Sequence, residues 1–281
     1  MYDSVIGTST GSLMGPFILA GEFDKLTEAY TSVTQKDIFN VNPFKTDGNI
    51  KALAAAWRII TGQKTLGETL PLKDLVEKFF TVDLYNQLIN NNKTYGATVV
   101  SLTTAESEVK LLKDNSYNDI VDWIWASANV PLFMSVLKKN NELWADGGLK
   151  DFASISYVLE QKLADEIDVI LHTTTETTDK NFRTVTSVVG LILRVIDIFV
   201  TDVIQNDIEN AKLRVKLDKE VKINFYYMNP SQVDLIGNNL VFDKTKMSRI
   251  LEEGFRSVVD GSIQKSECKV SVDGQILPFR V

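Results

Sequence analysis

The chain opens Tyr2-Asp3-Ser4-Val5-Ile6, then Gly7-Thr8-Ser9-Thr10-Gly11, then Ser12-Leu13-Met14-Gly15. No other stretch constrains the fold as much. The first run reads as a strand, the pentapeptide as a sharp turn, and the residues after it as a helix start. In such a unit the tip residue takes a strained backbone, and the Ser9 hydroxyl projects above the sheet edge. Gly7 and Gly11 are expected because a side chain at either would collide with the neighbouring strand or helix. The helix start also aims unpaired N–H groups and the positive end of its dipole at the space beside Ser9. That favours developing negative charge, so Ser9 is the candidate nucleophile. By itself the pentapeptide also fits a Gly/Ser turn that merely begins a helix. A phosphate-binding loop is not supported, because that motif needs a Lys after its last glycine and Ser12 stands there.

Elsewhere β-branched runs alternate with helical segments, the signature of an α/β sheet. Strands are expected at 2–6, 97–103, 143–146, 168–173 and 222–228. Helices are expected at 12–20, 25–32, 50–60, 72–80, 117–128, 155–162, 188–213 and 246–259, the seventh long enough to be two. The Gly-, Pro-, Thr- and Lys-rich stretch 42–70, with an Ala-rich run at 52–56, reads as an excursion from the sheet. It is either a cap over a site or surface decoration. With no repeat and no linker, a single domain over 1–281 is the simplest account.

A net charge of −7 argues against a nucleic-acid partner, which calls for a basic patch. The single cysteine, Cys268, excludes an internal disulfide framework and a four-cysteine zinc site. No metal or other cofactor is implied: Asp114, Asp119 and Asp122 read as a helix start and a solvated face. The opening is too short and polar for a secretory signal. The apolar stretch 188–204 carries Arg194, Asp197 and Asp202, so it reads as a mostly buried helix and not a membrane span. A cytoplasmic protein is expected.

A serine nucleophile needs a base, and His172 is the only histidine. The order Ser9, Asp146, His172 matches the triad order of α/β-hydrolases, but that fold places its nucleophile turn after several strands. A lone histidine at a strand end reads more simply as structural.

Further blocks suggest another solution. Trp125-Ala126-Ser127-Ala128-Asn129-Val130-Pro131-Leu132-Phe133 is followed by Glu142-Leu143-Trp144-Ala145-Asp146-Gly147-Gly148-Leu149. With the opening turn, these resemble the nucleophile elbow, the Ala-Ser-x-x-x-Pro-x-x-Phe helix end and the Asp-Gly-Gly motif of patatin-like phospholipases. Leu70-Pro71-Leu72-Lys73-Asp74-Leu75 is similar to a weaker Pro-Leu helix start in bacterial members. The resemblance runs from the chain start to the strand expected at 168–173. It implies a three-layer α/β/α fold with a mostly parallel central sheet, and a Ser–Asp dyad with Ser9 as nucleophile and Asp146 as general base. The activity implied is hydrolysis of fatty-acyl esters of phospholipids or related lipids, of the phospholipase A or lipid acyl hydrolase type. Transient contact with a membrane surface goes with such a substrate.

The chain departs from the family pattern twice. No Gly-Gly-Gly-x-Lys/Arg-Gly loop, which supplies oxyanion donors in members, occurs in the 281 residues, which implies that the first strand is missing with it. Losing even one such donor costs ~10²–10³ in rate. The alternative function is therefore a catalytically silent lipid- or partner-binding domain. A missing edge strand would also bare sheet edge and favour a homo-oligomer. The second departure is Lys150-Asp151-Phe152, where members often carry an Asn and a Pro.

Overall fold

A computed structural model describes residues 2–46, 48–174, 188–217, 221–229, 232, 240 and 242–268. These fall into two compact units. The first comprises the described residues of 1–154 and 240–244, and the second those of 155–239 and 245–281.

In the first unit β1 (Ser4–Thr8) runs into α1 (Thr10–Ala20), followed by α2 (Phe23–Ser32), α3 (Gln35–Ile38), α4 (Ala52–Ile60), α5 (Leu70–Phe79) and α6 (Val82–Asn90). Then come β2 (Thr94–Ser101), β3 (Ser107–Leu111), α7 (Tyr117–Ser127), β4 (Leu137–Lys139) and β5 (Glu142–Asp146). The second unit holds α8 (Ile155–Glu160), β6 (Glu166–Ile170), α9 (Val188–Leu217), β7 (Lys222–Tyr227), nearly all of α10 (Lys244–Val259), and β8 (Gln264–Cys268).

The α/β class agrees with the expectation, but the sheets are mixed where a mostly parallel one was anticipated. In the first unit only β1 and β2 pair parallel; β3, β5 and β4 join antiparallel. The reason is connection length. Asn140 and Asn141, both at positive φ, form a two-residue loop that can only make an antiparallel hairpin of β4 and β5. In the second unit β6 and β7 are parallel, and β8 adds antiparallel to β7.

The central strand β2 organises the first unit. Its Tyr95, Ala97 and Val99 face a core shared with Phe17 and Leu19 of α1, Phe79 of α5, Leu88 of α6, and Ile120 and Ile124 of α7. β3 lies along one edge of β2, against Gly96 to Val100. β1 and β5 therefore share the other edge, β1 against Thr94 to Thr98 and β5 against Val99 to Ser101. Thr8 ends β1 opposite Thr98, and Asp146 ends β5 opposite Val99. Two strands thus approach head to head beside one template and stop at adjacent registers. This pairing brings the residue after Thr8 to Asp146.

α1 is docked on β2 by an arrangement that begins with Pro16. A proline inside a helix has no N–H, so the carbonyl four residues earlier, that of Ser12, loses its helical donor. The buried Tyr95 hydroxyl replaces it, donating to the Ser12 carbonyl at 2.6 Å. Gly15 makes room for this: a Cβ there would stand 2.7 Å from the Tyr95 ring. Replacing Tyr95 with Phe keeps the packing and leaves that carbonyl without a donor. Urea unfolding of the variant is expected to show a loss of about 1–3 kcal/mol.

α9 differs from the expectation. It is one helix over 188–217, and its N-terminal half exposes Leu191, Val195 and Phe199 instead of burying them. Burial begins further on, at Ile204, Ile208, Ala211 and Val215, a stripe at i, i+4, i+7 and i+11. Thirty residues make a helix of about 45 Å. Among the described residues no helix is long and apolar enough to cross a membrane.

Candidate active site

The turn after β1 is held by contacts that leave little freedom. A Cβ on Gly7 would lie 2.2 Å from the Gly11 carbonyl oxygen, so only glycine lets α1 start so close to β1. Gly11 is different: nothing lies within 4 Å of the corresponding position, which corrects the expectation that both glycines are sterically required. Ser9 itself sits at φ 56° and ψ −124°, a region costly to any side-chain-bearing residue. Its carbonyl accepts from the Ser12 amide at 3.0 Å and the Ser12 hydroxyl at 2.6 Å. Its side chain makes no cap to α1. The first-turn amides of Thr10 and Gly11 have no carbonyl within the helix to bind.

The strain is held in part by Ser127, at the end of α7. The Ser9 amide donates to the Ser127 hydroxyl at 3.1 Å, and that hydroxyl donates to the Thr98 carbonyl at 2.6 Å. A fully buried serine thus ties the turn to the strand that sets its register. The Ala-Ser block was legible in the sequence, but this role for Ser127 was not, since donor and acceptor are 118 positions apart.

Asp146 ends β5 and is buried, with 6% of its surface exposed. Its amide donates to the Asn129 carbonyl at 3.1 Å. Its carboxylate takes a hydrogen bond at 2.9 Å from the Gly148 amide, and the Ser9 side chain lies near enough to favour its charged form. Burial raises its pKa from 3.8 to about 6, against the opposing influence of the Ser9 side chain and the Gly148 amide. Gly147 permits the close turn, because a Cβ there would meet the Thr98 carbonyl at 2.7 Å.

The segment after this turn is tied back beneath the site despite its departure from the family pattern. The Ser154 amide donates to the Asp151 carboxylate at 2.7 Å, and the Ser154 and Thr98 hydroxyls are 2.7 Å apart. Burial raises the pKa of Asp151. His172 follows β6 and belongs to the second unit, whereas Ser9 and Asp146 belong to the first. Of the three acidic residues noted above, Asp119 and Asp122 both pair with Lys139, at 2.6 and 2.8 Å.

A sequence profile described as patatin-like phospholipase matches residues 1–159, more than half of the chain. The chain belongs to the patatin-like phospholipase family. The family comprises lipid acyl hydrolases, and the matched span holds the Ser9 turn, the Ser127 helix end and the Asp146-Gly147-Gly148 turn. No curated protein matches the chain.

Proposed function

We propose that this chain is a serine acyl-ester hydrolase of lipids, of the phospholipase A or lipid acyl hydrolase type, using a dyad of Ser9 and Asp146. The observation that carries the reading is the half-buried Ser9 side chain beside a buried carboxylate whose charged form it favours and whose pKa burial raises to about 6. Such a group is ionised at neutral pH and is a better proton acceptor than an ordinary aspartate.

In this mechanism Asp146 accepts the Ser9 proton as Oγ attacks the ester carbonyl, giving a tetrahedral oxyanion. The N-terminal end of α1, with the Thr10 amide, stabilises that charge. Collapse expels the alcohol, which takes the proton back from Asp146, and leaves an acyl group on Ser9. Asp146 then takes a proton from a water as it attacks the acyl carbonyl, and returns that proton to the Ser9 oxygen as the fatty acid departs. The steps call for neither metal nor cofactor, and His172 has no part in them.

An alkyl fluorophosphonate is expected to modify Ser9, located by peptide mass spectrometry, with no labelling of Ser9→Ala. Folded protein that stays unlabelled while binding acyl chains saturably would instead support the silent lipid-binding reading, which the lack of a Gly-rich loop in the 281 residues favours.

A further inference from the structure

α4 turns an apolar side outward. Leu53, Trp57 and Ile60, at i, i+4 and i+7, leave 90%, 67% and 78% of their surfaces to solvent. Of the nine residues in this helix only Ala55 is buried. A contiguous apolar stripe of this kind on a surface marks an interaction site.

The charges beside it are opposite in sign to those of the whole chain. Stretch 42–70 carries Lys45, Lys51, Arg58 and Lys64 against Asp47 and Glu68, in a chain of net charge −7. Arg58 is paired with Glu68 at 2.8 Å, so the exposed Lys45, Lys51 and Lys64 supply the surplus. An apolar stripe with a tryptophan in it and lysines flanking it is the pattern of a helix lying in a lipid–water interface.

The foot of the excursion is fastened close to the base of the proposed dyad. The Leu66 amide donates to the Leu132 carbonyl at 2.7 Å, and Phe44 packs on Phe133 with ring centroids 5.6 Å apart. The Thr69 hydroxyl bonds the Asn129 side chain, and the Asn129 carbonyl in turn takes the Asp146 amide.

We propose that α4 docks this chain on an anionic lipid–water interface, seating Leu53, Trp57 and Ile60 at the acyl-chain boundary and the three lysines among headgroup phosphates. The choice of a lipid surface rests on the hydrolase reading above; the docking itself requires no turnover.

Trp57 makes the proposal directly measurable. Of the four tryptophans, Trp123, Trp125 and Trp144 are buried, so a change in emission on adding lipid reports Trp57. The apolar stretch of α9 contains no tryptophan. Vesicles of phosphatidylcholine with phosphatidylglycerol are expected to shift emission to the blue and carry the protein in flotation, and pure phosphatidylcholine to do so more weakly. In L53S/W57S/I60S the partition coefficient is expected to fall at least about tenfold, with the thermal midpoint unchanged. K45E/K51E/K64E is expected to erase the preference for anionic vesicles. Unaltered flotation of the triple-serine variant would overturn the proposal, as would flotation of the wild type without a Trp57 shift. So would a wild-type dimer, with Trp57 emission already blue in the absence of lipid, that the serine variant converts to monomer. Protein that floats through α4 yet is not labelled at Ser9 would fail as a hydrolase while keeping this docking surface.

Discussion

An Asp146→Asn variant is expected to lose about three to four orders of magnitude in ester turnover while gaining folding stability at neutral pH. In the proposed dyad the kinetic loss follows from removing the group that takes the Ser9 proton; an amide fits the same space but is no base at any working pH. The gain in stability follows from the same burial that makes Asp146 a good base. Between pH 3.8 and about 6 the folded protein holds a proton on Asp146 that the unfolded chain has released. By linkage, the stability Asp146 allows is complete below pH 3.8 and is lost as pH rises through about 6. Above that range the buried charge costs on the order of 1–3 kcal/mol. Urea titrations of wild type and variant from pH 4 to 8 should diverge on the way up and run parallel above pH 7. In the wild type, kcat/KM should rise through one ionisation near pH 6 and then level off. A variant that keeps wild-type turnover would remove Asp146 from the mechanism, whatever its stability.

The second large effect is on folding. Gly7→Ala is expected to destabilise the protein by at least about 3 kcal/mol, or to prevent recovery of folded material. The added methyl would meet the carbonyl carbon and oxygen of Gly11 and the amide of Ser12 at 2.3, 2.2 and 2.6 Å. All three are backbone atoms, so no rotamer change relieves the overlap, and α1 would have to move away from β1. Gly11→Ala is the matched control. It enters open space in the first turn of a helix and is expected to change stability by no more than about 1 kcal/mol, in the stabilising direction. Comparable losses in the two variants would mean that the Gly7 contact is not what seats the helix.

These two glycines also mark how far the sequence could be read. The Ser9 turn was legible because strand, glycine-flanked turn and helix are contiguous, so the local chemistry specifies the unit. The same pattern cannot say which glycine is crowded, since that depends on where α1 lies relative to β1. Tyr95 and Ser127 were opaque for the same reason: each acts on a residue in a distant part of the chain, at Ser12 and Ser9. The hairpin of β4 and β5 was a different kind of omission. Asn140-Asn141 is a recognisable two-residue turn, and the three-residue β4 beside it is too short to display an alternating pattern. α6 likewise carried a usable signal in Thr81, whose hydroxyl accepts from the Leu84 amide at 3.3 Å. In α9 the apolar content was plain, but composition cannot tell a helix that is covered from one that is exposed along half its length. Asp146 was found by its motif, while its raised pKa came from burial, which three letters of sequence do not encode.

The backbone of Ser9 carries a further consequence for anyone who alters this protein. At φ 56° the position would suit glycine better than serine. Asparagine in place of Asp146 would likewise relieve a buried charge. If Ser9 and Asp146 form the proposed dyad, selection for thermal tolerance alone would therefore drift toward a sturdier and inert molecule, through two separate changes that each register as an improvement. On that reading, any breeding of heat-resistant variants from this chain has to screen for fluorophosphonate labelling of Ser9 in every generation.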